Sequence, residues 1–246
     1  MIYSLQKILT ATQNVPHVCY PLLPKGGILV IGAPAKTRKS YFAIHLAYCL
    51  ATGNSFLGFK IEKAQRVLYI EKEIGVAGMR DRAEQVHRRF GDAFAEDNLF
   101  FLPKSRSTRN LFLGSDTLKS IVEQHNPDVI VLDPLRRFHR ADEDSSGEME
   151  KVFDQIEELQ DDNRRSVILI HHCGKPQEHR APEDPASLRG SSFIFDAGDS
   201  YAMLLRANRQ SDNYKVHFTF RHTADRSPMS ARFEDGIFEK SGGKDE

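Results

Sequence analysis

Three groups of residues could do chemistry, and the first is a basic loop. Gly32-Ala33-Pro34-Ala35-Lys36-Thr37-Arg38-Lys39-Ser40 joins an all-apolar run, Ile28 to Ile31, to a helical pattern that starts at Tyr41. A buried strand, such a loop and a helix form the setting in which backbone N–H groups cradle phosphate oxygens. There a lysine reaches the β and γ phosphates of ATP, and a hydroxyl coordinates Mg2+. Lys39 and Ser40 fit those two roles. The spacing departs from G-x-x-x-x-G-K-[ST]. Ala33 stands at the first glycine, Arg38 at the second, and Gly32 is one position early. A side chain in a left-handed conformation costs roughly 1–2 kcal/mol, which a fold can carry. The plainer reading is a basic loop that caps a helix and binds nothing.

The second group is acidic. The apolar run Val129 to Leu132 ends in Asp133, and Val67 to Ile70 runs into Glu71-Lys72-Glu73. A carboxylate at the end of a strand beside a phosphate loop can hold Mg2+ through water. A second one at the same sheet edge can orient and deprotonate an attacking water. Their ordinary alternatives are a turn-forming Asp and a solvated charge run. The third group is basic: Arg136, Arg137, His139 and Arg140 after Asp133, then Lys175, His179 and Arg180 in the loop 174–188. These could contact nucleic-acid phosphates, or lie in solvated loops. The neighbouring Asp142-Glu143-Asp144 suits a contact between subunits. His171-His172-Cys173 makes a poor zinc site, because adjacent strand residues point to opposite faces.

These residues need elements to position them. Short apolar runs at 28–31, 66–70, 99–102, 128–133 and 166–171 read as buried strands. Helical patterns lie between them at 41–51, 76–90, 115–125 and from Ser145/Ser146 to about 163, with a short helix within 3–13. Residues 201–205 read as strand, and 214–220 alternate apolar and polar as in a half-exposed strand. Alternating strands and helices imply an α/β fold: a mostly parallel central sheet, helices on both faces, and antiparallel strands at the C-terminal end. One domain is expected over 26–236. Residues 1–25 would be a helix and linker packing on the core or a neighbour, and 237–246 a disordered tail.

Composition excludes several classes. The chain has 246 residues, 40% hydrophobic and 28% charged, and no apolar run long enough to span a membrane. Lys+Arg and Asp+Glu are both 34, so a globally basic nucleic-acid binder is excluded, although a polarised surface is not. Three scattered cysteines make no disulfide framework and suit a reducing, cytoplasmic setting.

Taken together, the segments resemble the plasmid RepA-type hexameric replicative helicases within the RecA-like P-loop ATPases. The resemblance spans roughly 20–235. Its most specific stretch is Asp133-Pro134-Leu135-Arg136-Arg137-Phe138-His139 with the acidic turn and helix that follow. Ile170-His171-His172 and Ser187-Leu188-Arg189-Gly190-Ser191-Ser192 are further markers. The resemblance implies Lys39 and Ser40 as Walker A residues, Asp133 as the Walker B aspartate and Glu73 as the catalytic glutamate. It implies His172 as a sensor of the γ-phosphate and Arg189 as an arginine supplied across a subunit interface. Arg221 would be a second basic residue near a neighbour's nucleotide. Arg136, Arg137, Arg140, Lys175 and Arg180 would face nucleic acid. The implied protein is an ATP- and Mg2+-dependent ring or filament that moves on single-stranded DNA. The alternative is a nucleotide-dependent switch or assembly protein of the same fold.

Overall fold

The computed structural model describes residues 2–10, 15–90, 98–161, 164–174, 181–188, 190, 193–208 and 210–241. Helix α1 (Leu5–Leu9) is followed by a small antiparallel pair, β1 (His17–Cys19) and β2 (Leu23–Pro24). Then come β3 (Ile28–Ala33), α2 (Lys39–Thr52), β4 (Val67–Glu71), α3 (Val76–Phe90) and β5 (Leu99–Leu102). After these lie α4 (Asp116–His125), β6 (Val129–Asp133), a 3-10 turn (Leu135–Arg137), α5 (Ser146–Gln160) and β7 (Ser166–His172). The last elements are α6 (Phe193–Ala197), β8 (Ser200–Arg206), β9 (Asn213–Phe220), β10 (Met229–Glu234) and β11 (Ile237–Lys240).

Among the described residues the large sheet runs β11-β10-β9-β8-β3-β7-β6-β4-β5. From β8 to β5 every pairing is parallel, and from β8 outward to β11 every pairing is antiparallel. The parallel strands are covered on both faces, which is why they are apolar at every position. Alternate residues divide between two cores. Leu29, Ile31, Val67, Tyr69, Val129, Val131, Ile168 and Ile170 pack with α2 on one face. Val30, Leu68, Ile70, Ile130, Leu132, Val167 and Leu169 pack with α4 and α5 on the other. Helix α2 is buried almost all round, as its apolar sequence requires.

The parallel register brings the strand ends to one edge. Glu71 lies opposite Asp133, and Ala33 lies opposite His172. Asp133 shares the α2 face with Val129 and Val131, and Glu71 shares it with Val67 and Tyr69.

Two boundary expectations need correction. Residues 237–240, expected in a disordered tail, form β11, with Ile237 and Phe238 buried. Asp235 and Gly236 both have positive φ, 46° and 89°, and make a two-residue hairpin turn from β10. At the other end, Val18, Cys19, Leu22 and Leu23 belong to the core, so the domain begins before residue 26. Helix α1 buries no residue against this core.

Candidate nucleotide site

Lys39 opens α2 at the end of the basic loop. Its side chain is buried and folds back on the loop, Nζ donating to the carbonyls of Ala33 at 3.0 Å and Pro34 at 2.9 Å. Burial lowers its pKa, while Asp133 and Glu73 pull it back up. Thr37 Oγ1 donates to the Pro34 carbonyl at 2.5 Å and closes the turn. Lys36 and Arg38 both stand in the left-handed region, at φ 63° and 60°. For Arg38 the compensation is visible. Its guanidinium lies 4.1 Å from the centre of the Phe233 ring on β10 and is paired with Asp212. Ala33 still pairs with β7, so the first missing glycine imposes no left-handed strain. Gly32 is required for space. A Cβ there would come within 2.5 Å of Leu188 Cδ2 and 2.6 Å of Met203 Sδ.

Two carboxylates sit deep beside this loop. Asp133 accepts the Tyr69 hydroxyl at 2.6 Å and is also hydrogen-bonded by Ser40. Glu71 is 1% exposed, and its Oε1 accepts the N–H of Glu73 and, at 3.0 Å, that of Ile74. Burial raises the pKa of both carboxyls, since two ionised groups there would lack water. Glu73 is different, for its side chain is 45% exposed. The Ser40 hydroxyl and the Asp133 carboxylate are adjacent hard oxygen donors, a set that suits Mg2+.

These groups converge on one cleft of about 270 Å3. Residues 36–41, Glu73, Arg82, Asp133, Ile170 and His172 line it. Sequence reasoning missed Arg82, Tyr69 and Glu71 as parts of this centre. Arg82 reaches it from α3, its guanidinium 5.4 Å from the Tyr41 ring centre. It falls on the face of α3 that buries Met79 and Val86, at i+3 and i−4 from them. A charge on that stripe was the available signal.

The basic cluster after β6 is placed outside the cleft and is mostly engaged within the chain. Arg136 pairs with Glu143 at 3.7 Å and Arg137 with Glu73 at 3.7 Å. Arg140 lies 4.8 Å from the Phe112 ring centre. Of the acidic turn, Glu143 is buried, 3.9 Å from His139. A second, open cleft of about 840 Å3 borders this region, with Phe112, Phe138, Arg140 and Lys151 in its wall. It holds none of the phosphate-loop residues. Arg221 follows β9 at the opposite edge of the sheet, bound by Asp199 at 3.8 Å and by the Asp196 carbonyl. Arg189, Lys175 and Arg180 lie outside the described residues.

The family of AAA domains (AAA_25) matches residues 4–178. Among solved structures, the fold is similar to a helicase ATPase domain, with a TM-score of 0.63 and 16% identity. That match covers 96% of this chain and 95% of the other. It is also similar to a DnaB-like replicative helicase solved for its interactions with primase, with a TM-score of 0.66 and 15% identity. Here 96% of this chain covers 66% of the other. The fold is thus that of RecA-like helicase ATPase domains. No helix among the described residues is long and apolar enough to cross a membrane.

Proposed function

The chain belongs to the AAA domain family, and from that premise we propose that it binds ATP in the 270 Å3 cleft and hydrolyses it. The observation that carries the reading is the meeting of Lys39, Ser40, Asp133 and Glu73 at one sheet edge, supplied by three different β–loop junctions. Lys39 exchanges its two loop carbonyls for β and γ phosphate oxygens, which offer it full charge. Ser40 and Asp133 hold the metal; Mg2+, when bound, supplies positive charge against the phosphates. Glu73 accepts the proton of the attacking water, because it reaches the cleft and its carboxylate is half exposed. His172, at the end of β7 and in the cleft wall, stands where the chain leaves for the loop 174–188. Arg189 and Arg221 belong, in this reading, to the site of a neighbouring subunit, and Lys175 and Arg180 face nucleic acid.

The motor reading extends this. Arg136, Arg137 and Arg140 with Phe112 combine cations and an aromatic face, as single-stranded nucleic acid requires. Arg137 also touches Glu73, so nucleic acid and hydrolysis share a residue. Single-stranded DNA is the inferred track, and an oligomeric ring or filament the inferred assembly. The test is ATP turnover with and without single-stranded DNA, for the parent chain and Lys39→Ala. Turnover stimulated by DNA and abolished in Lys39→Ala is expected. Titration with a non-hydrolysable ATP analogue that finds equal affinity in both chains would remove Lys39 from the site.

A further inference from the structure

Glu71 has no part in the chemistry above, yet it occupies the centre of it. It ends β4 opposite Asp133, on the face that carries Tyr69, and it is 1% exposed. Keeping a carboxyl there, beside a second one and out of water, is costly. A turn needs no such residue, since an exposed Asp or Ser caps one equally well.

Its hydrogen bonds say what it holds. The N–H of Lys72 donates to the Asp133 carbonyl at 2.9 Å, so the β4–β6 ladder runs one bond past Glu71. The next two N–H groups, of Glu73 and Ile74, turn inward onto Glu71 Oε1. The outer side of the same turn is pinned as well. Lys104 N–H donates to the Ile74 carbonyl at 2.9 Å, and Lys72 Nζ to the carbonyls of Leu111 at 2.6 Å and Arg137 at 2.9 Å. Between these anchors the freedom left to Glu73 is that of its side chain.

We propose that Glu71 is the positioning residue for Glu73: its buried carboxylate fixes the peptide that carries Glu73, so that the Glu73 carboxylate faces the cleft. The proposal rests on the reading of Glu73 as the group that activates water. Glu71 is not that group itself, because it does not reach the cleft and its Oε1 already serves two N–H donors. A displacement of about 1 Å in a reacting group can cost on the order of 100-fold in rate. Losing Glu71 therefore acts on turnover and leaves nucleotide affinity to Lys39 and its loop.

The experiment compares steady-state ATP hydrolysis, ATP-analogue affinity and thermal melting for the parent chain, Glu73→Gln, Glu71→Gln, Glu71→Ala and the double variant Glu71→Ala/Glu73→Gln. Glu71→Ala should lower kcat roughly 10- to 100-fold and change analogue affinity less than about 3-fold. Glu71→Gln keeps a carbonyl oxygen for both N–H groups and should hold kcat within about 3-fold of the parent. In the Glu73→Gln background the Ala substitution should cost nothing further, since it acts through the group already lost. If Glu71→Ala melts below the assay temperature, Glu71→Asp takes its place, with the same charge and a retracted oxygen, and the same fall in kcat is expected. Full turnover in Glu71→Ala or Glu71→Asp, or losses that multiply in the double variant, would overturn the proposal. So would Glu71→Gln as slow as Glu71→Ala, which would give Glu71 a role through its charge. If Glu73→Gln turns over like the parent, or the parent does not hydrolyse ATP, the reading of Glu73 fails and the proposal with it. A slow Glu73→Gln beside an unaffected Glu71→Ala refutes the positioning role alone.

Discussion

Arg38 shows how a loop can lose its glycine and keep its shape. The left-handed conformation costs roughly 1–2 kcal/mol. Against it stand a cation–π contact with Phe233, about 0.5–1 kcal/mol at a partly exposed position, and the pair with Asp212, about 0.2–1 kcal/mol. The two sides nearly cancel. Arg38→Gly should accordingly change stability by no more than about 1 kcal/mol, and ATP turnover only modestly. Urea titration and a turnover assay check both. A large gain in hydrolysis would mean that Arg38 damps the site, and would favour the switch over the motor.

Among the elements, the C-terminal hairpin matters most for the site, because Arg38 leans on it. β10 carries Phe233, and β11 carries Phe238, whose ring meets those of Phe42, Tyr214 and Phe233 at 5.2, 5.0 and 5.1 Å. Phe42 is on α2, so the hairpin packs directly on the helix whose first turn holds Lys39 and Ser40. Phe238→Ala should cost about 3–5 kcal/mol, as deletion of a buried ring does, measured by the urea midpoint. A residue in a disordered tail would move it by less than about 0.5 kcal/mol.

For the whole molecule, buried histidines set the acid limit. Burial pushes His45 down to about 3. It pushes His139 down to about 4, helped by Arg136. Both remain neutral in the folded chain where the unfolded chain, with an ordinary value near 6.5, takes up protons. Stability is therefore full above about pH 6.5 and falls as the pH drops toward the folded values. From His45 alone the loss at pH 5 is about 2 kcal/mol. Urea titrations at about pH 7.5 and 5 should show it, and His45→Asn should lessen the difference. Assembly is the other property of this scale. If Arg189 completes a neighbour's site, then Lys39→Ala and Arg189→Ala chains, each inactive alone, should recover turnover when mixed. Some interfaces then pair an intact Lys39 with an intact Arg189. Subunit exchange without recovery would confine Arg189 to its own chain.

The sequence by itself determined the layered α/β fold, because strands buried on both faces must be continuous apolar runs, and the chemistry-bearing residues stand where those runs stop. Lys39 and Ser40 after Ile31, Asp133 after Leu132, and His172 at the end of the 166–172 strand are legible for that reason. The opposite facing of His171 and His172 follows from the period of two. Asp235-Gly236, a hairpin signal, was also present in the sequence, and β11 follows it. What only the tertiary structure decided is which distant side chains meet. Arg38 finds Asp212 and Phe233, Gly32 finds Leu188 and Met203, and Lys72 finds the carbonyls of Leu111 and Arg137. Glu71 and Glu73 are equivalent as letters two apart on one strand end. The chain turns after Lys72, burying one carboxylate against Asp133 and leaving the other in the cleft. That turn depends on hydrogen bonds to β6 and to the loops after β5 and β6, and no local pattern encodes partners so far away in the chain.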